Sequence, residues 1–128
     1  MKRDELAYVI DIFERAERLH DRMPTITREQ FDADFIIFDG VAHTLQVIGE
    51  AASKLGKDYR ASIPQVPWPK VIAMRHIIVH GYHRTNPDTI WKTANNQMRP
   101  LVDALRPLVE AARRAIAAGD PINGDSKS

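Results

Sequence analysis

The chain has 128 residues, a formal net charge of +1, 44% hydrophobic and 27% charged residues, and no cysteine. That length suits one domain around one core, and the balance is that of a soluble globular protein. The missing cysteines exclude disulfides, thiolate metal sites and a cysteine nucleophile, and suit a cytoplasmic protein. No apolar run nears the ~18 residues of a membrane span, and no signal-peptide apolar block opens the chain, so no membrane partner is expected.

The first helix is expected over residues 4–20, where Leu6, Val9, Ile10, Phe13, Ala16 and Leu19 recur at three- and four-residue steps. Pro24 stops it. Thr27 and Gln30 have capping-box spacing and open a second helix. Its face would run from Phe31 through Phe35, Phe38, Ala42, Leu45, Ile48 and Ala52 to Leu55. That predicts a helix of about 28 residues, on the order of 40 Å long, ended by Gly56 as a C-cap. Gly40 could bend it. A connector with Pro64, Pro67 and Pro69 follows, anchored by Trp68. The third helix is expected from Pro69 through "KVIAMRHIIVHGY". Asn86, Pro87 and Asp88 supply a cap, an N1 proline and a first-turn acid for the fourth. Its inner stripe is Ile90, Ala94, Gln97, Leu101, Leu105, Leu108, Ala112 and Ile116, with kinks at Pro100 and Pro107. The prediction is an all-α, up-and-down bundle of four to five helices, a domain over residues 1–117 and a flexible polar tail over 118–128.

The chemistry concentrates in "AMRHIIVHGYHR", residues 73–84. On a regular helix, Arg75 and His80 differ by about 140° in direction. Arg75 and Tyr82 nearly share a face, as do His76, His80 and His83. One reading is plain packing. A second is a metal bound by the three histidines, poorly supplied with carboxylates. A third is phosphodiester chemistry, in which Arg75 holds a phosphate and His80 moves a proton. The RNA 2′-hydroxyl would then be the nucleophile, with no metal or cofactor required. The offset between Arg75 and His80 suggests two copies of the helix around one cleft, related by a dimer two-fold.

"RHIIVHGY" resembles the Arg-x4-His-x-Tyr signature of the HepT-like toxins of the HEPN superfamily. "LQVIGEAASKL" resembles that family's "IGEA" helix, "PQVPWPKVIAMRHIIVHGY" its proline–tryptophan lead-in, and Ile90-Trp91 its apolar–Trp pair. The likeness spans roughly residues 4–110. It implies a helical, dimeric, metal-independent ribonuclease with Arg75 and His80 as the catalytic pair. It also implies that an MntA-like nucleotidyltransferase antitoxin modifies Tyr82 with AMP. His76 stands where the family commonly has Asn, in a position to assist. The rival reading is a non-enzymatic binding module of the same fold.

Two further features are singled out. Glu50, amid apolar neighbours in "IGEA", is either a solvated edge residue or a carboxylate that orients Arg75 or His80; Gly49 beside it permits a close helix approach. Lys92, Arg99, Arg106 and Arg113 recur every seven residues as one stripe. The stripe is either a solvated face or a surface for RNA or an antitoxin, with compensating acids on helix one.

Overall fold

The computed structural model describes residues 3–79 and 83–119. Every regular element among them is helical, so the all-α expectation holds. Helix α1 spans Arg3–Arg22, α2 Arg28–Ala33, α3 Phe35–Ser53, α4 Lys57–Ala61, α5 Trp68–Ala73, α6 Pro87–Asn96 and α7 Met98–Ala117. Short 3-10 turns at Met23–Thr25 and Met74–His76 follow α1 and α5.

Helix α1 packs against both α3 and α7. Most of its expected stripe holds, with Leu6, Val9, Phe13, Ala16 and Leu19 buried, but Ile12 is fully buried where Ile10 is only half-buried. A fully buried side chain such as Phe13 or Leu105 contributes about 1.5–3 kcal/mol. The α1–α7 seam is closed at its edge by Glu17–Arg106 at 3.4 Å and Glu14–Arg113 at 3.0 Å. Both guanidinium groups lie over the Phe13 ring, at 5.3 and 5.7 Å from its centroid.

The expected long second helix is two helices. The Thr27 capping box opens α2 as predicted, but Asp34 is extended (φ −109°, ψ 105°) and its carboxylate accepts from the Ile36 and Ile37 amides. An aspartate can serve the free amides of a helix start better than it serves a helix interior. Restarting the helix at Phe35 resets the register, so Phe35 is 73% exposed and does not join the inner face. Phe31 remains central, with ring contacts to Phe38 at 4.9 Å and Trp91 at 5.1 Å. Arg28 braces the same corner, bonded to Asp32 and, across to α6, to Asp88. Those two carboxylates raise its pKa above the ordinary arginine value.

Gly56 is not a C-cap. Helix α3 ends at Ser53 on a right-handed Lys54, and Gly56 (φ −68°) starts α4 while its amide donates to Glu5 at 2.9 Å. Trp68 is buried and its indole donates to the Ile63 carbonyl at 3.1 Å, so it anchors the connector as expected.

The expected fourth helix also divides. The Asn86 cap and Pro87 start hold, with the Asn86 side chain accepting from the Asp88 amide at 2.7 Å. Helix α6 then stops at Asn96, four residues before Pro100, whose ring and missing N–H disallow the bond to that carbonyl. Pro100 instead sits in the first turn of α7, where its lack of a donor costs nothing; Pro107 lies inside α7. Ile116, placed on the inner stripe, is 51% exposed.

No helix among the described residues is long and apolar enough to cross a membrane. Most of the expected tail, residues 120–128, lies outside the described residues.

Candidate functional site

The third helix does not run through the motif. It ends at Ala73, turns through the 3-10 segment Met74–His76, and leaves Ile77 extended (φ −63°, ψ 128°). Gly49 explains the change. Were it any other residue, its Cβ would overlap the Arg75 amide nitrogen and lie 2.9 Å from the Met74 carbonyl carbon. The backbone of the turn therefore rests directly on α3, against a glycine, as the sequence suggested for Gly49. One turn earlier on α3, the Gln46 amide donates to the Ile77 carbonyl and holds the chain where it becomes extended.

Beyond that point Ile77 is buried, Ile78 is exposed and Val79 is half-buried. The Ile78 amide donates to Thr85 Oγ1 at 2.9 Å, and the Thr85 amide donates to the Ile78 carbonyl at 2.7 Å. This reciprocal clasp joins the two ends of the stretch that contains His80 and Tyr82. Those two residues lie outside the described ones.

Arg75 and His76 are both exposed on the 3-10 turn, and Arg75 Nε is 3.5 Å from His76 Nε2. The helical premise for grouping His76, His80 and His83, or Arg75 and Tyr82, on shared faces is gone, because Ile77 is extended and residues 77–79 are not helical. The same change removes the helical-offset argument for a dimer. No three His, Asp or Glu side chains cluster as a metal site among the described residues. His83 is exposed, and Arg84 lies over the Phe38 ring at 6.0 Å.

Glu50 is exposed and its carboxylate is 3.6 Å from the Lys54 ammonium. Lys92 lies on α6, while Arg99, Arg106 and Arg113 lie on α7, across the helix break. Arg106 and Arg113 hold the α1 carboxylates, and Arg99 is 3.7 Å from Asp103.

Next to His76 a cleft of about 360 Å³ opens between the α5 end and α6. Sequence reading missed it. Its signal was the spacing of Thr85, Thr89, Thr93 and Gln97, four residues apart.

Gln46→Leu tests the seat of this segment. It leaves the Ile77 carbonyl without its amide donor, at a cost of about 1–3 kcal/mol. We expect a lower Tm and faster amide exchange over residues 77–79; unchanged exchange there would count against the role of Gln46.

Residues 12–108 match the family model described as ribonuclease HepT-like. A protein of Methanocaldococcus jannaschii whose name gives it as a putative RNase is 32% identical over 91 residues, 71% of this chain and 84% of that protein. One of Thermococcus cleftensis named as a probable ribonuclease HepT is 30% identical over 101 residues, 79% of this chain and 92% of that protein. No solved structure matches the chain. The match of most of the chain to one family model, with relatives nearly as long as the aligned segments, leads to one conclusion: the chain belongs to the HepT-like ribonuclease family.

Proposed function

We propose that this ribonuclease is the toxin of a toxin–antitoxin pair, a metal-independent endoribonuclease that works as a homodimer. The observation that carries the reading is Arg75, which a tight backbone contact seats at Gly49 while its side chain stays exposed. A guanidinium fixed at its root and open to solvent can grip a phosphate by two parallel bonds. His80 follows within the same motif, and imidazole is the side chain type best suited to moving a proton at physiological pH.

In this mechanism the ribose 2′-oxygen attacks phosphorus as its proton passes to a base. The bond from phosphorus to the 5′-oxygen breaks, and an acid protonates that leaving oxygen. The products are a 2′,3′-cyclic phosphate and a 5′-hydroxyl. Arg75 offsets the charge that builds on the phosphoryl oxygens. Two proton transfers call for two groups, and a second copy of His80 across a dimer two-fold supplies the other. His76, beside Arg75, would assist in holding the phosphate. Glu50 would support Arg75 only by leaving Lys54.

Adenylylation of Tyr82 by an MntA-like nucleotidyltransferase would add bulk and negative charge next to the motif, repelling an RNA phosphate. Lys92 and Arg99, with Arg106 and Arg113 where these release their carboxylates, would contact RNA or that partner.

The test is digestion of RNA by the purified dimer in the presence of chelator, with His80→Ala beside it. Wild type should yield cyclic-phosphate ends. The variant should be slower by on the order of 10²–10⁴-fold, the usual contribution of a general acid or base. Intact RNA in the wild-type reaction would leave a binding module as the better description. Loss of cleavage with chelator, restored by metal, would overturn the metal-free mechanism.

A further inference from the structure

The cleft beside His76 has two unlike walls and an apolar floor. Lys70 and His76 come from the α5 side, and Thr89, Thr93 and Gln97 from α6, with Met74 buried at the base. None of its lining residues is acidic. About 360 Å³ is at the small end of the range for small-ligand sites, roughly 300–1,000 Å³, so it suits one nucleoside unit and not a duplex.

Each wall matches a part of a ribonucleotide. An apolar floor that includes a thioether accepts the face of a base. The Gln97 amide presents both a donor and an acceptor, which is what reading a base edge needs. Thr93 Oγ1 already donates to the Thr89 carbonyl at 2.7 Å, so its lone pairs are left to accept, for example from a ribose 2′-hydroxyl. Lys70 offers a point charge for a phosphate. The cleft is also continuous with the motif: His76 forms part of its wall while approaching Arg75, and Thr85 both lines it and closes the clasp with Ile78.

We infer that this cleft holds one nucleotide of the RNA strand next to the scissile phosphate, and that Gln97 and Lys70 set base preference and strand affinity. The inference rests on the ribonuclease reading above for the identity of its ligand. It also gives His76 a definite place, as the residue between the phosphate grip at Arg75 and the nucleotide cleft.

The four ribonucleoside 5′-monophosphates separate the two claims, because they contain no phosphodiester to cut. We expect them to shift the NMR resonances of Met74, Thr89, Thr93 and Gln97, with one base favoured. Lys70→Ala should weaken this binding about tenfold, and Gln97→Leu should level the ranking of bases. Thr93→Val, close in shape to the original, should narrow the preference for ribo- over deoxyribonucleotides. On short oligoribonucleotides Lys70→Ala should raise KM about tenfold with kcat within about twofold. Far-ultraviolet circular dichroism confirms that each variant is folded. Monophosphates that leave these resonances unmoved overturn the cleft, as do variants with unchanged affinity, base ranking and KM; wild-type cleavage would still stand. Binding that depends on the cleft, with RNA left intact, overturns the nuclease and supports the cleft as a nucleotide site.

Discussion

Gly49→Ala is expected to lower stability by about 3 kcal/mol, the upper end of overpacking costs, and to abolish most activity with it. The added methyl has no room. It would overlap the Arg75 amide nitrogen and lie 3.0 Å from Arg75 Cα, and both are backbone atoms that cannot rotate away. Either α3 or the 3-10 turn must move. Helix α3 is fixed by Leu45, Ile48 and Ala52, all fully buried, so the turn is the part that yields. Moving it displaces Arg75 and the Gln46–Ile77 bond together. For a domain of this size the Tm should fall by on the order of 10 °C. Gly40 is the control: nothing lies within 4 Å of a Cβ there, and alanine is the better helix former. Gly40→Ala should therefore be neutral or mildly stabilising. A Gly49→Ala protein with wild-type Tm and activity would show that the turn does not bear on α3.

The same contact shows where sequence reading succeeded and where it stopped. The periodicity of α1 and the caps at Thr27 and Asn86 were legible because each depends on residues a few positions apart. Trp68 was legible as an anchor because an aromatic among prolines has few other uses. The breaks at Asp34 and Asn96 are hidden in the sequence because an apolar stripe can continue across two helices that share one core. Asp34 and Pro100 carry the local signal for a break, which the continuous stripe masks. The ending of α5 was not legible at all. Nothing in "AMRHIIVHGY" opposes a helix strongly before Gly81. What ends it is a set of tertiary contacts, with Gly49 and Gln46, far away in sequence, on one side and Thr85, seven residues beyond Ile78, on the other. Gly49 does allow the close approach its sequence context suggests, and the consequence falls on the motif's own conformation.

Arg75→Ala should leave the fold intact and remove catalysis, the opposite pattern to Gly49→Ala. The Arg75 side chain is exposed and meets His76 at 3.5 Å among the described residues, so truncation should cost stability only within about 0.5 kcal/mol. If the guanidinium steadies charge that develops on the phosphoryl oxygens, its loss should lower kcat by about 10²–10³-fold. Arg75→Lys separates charge from geometry. A lysine keeps the positive charge but grips at one point, so activity should recover only in part. His76→Ala gives the third comparison. A residue that shares the phosphate with Arg75 should show a loss that shrinks when Arg75 is already absent, since the two act on one group. Equal and independent losses would place His76 in the neighbouring cleft alone. An Arg75→Ala enzyme that cleaves at the wild-type rate would sink the assignment of the phosphate grip, whatever the fate of His80.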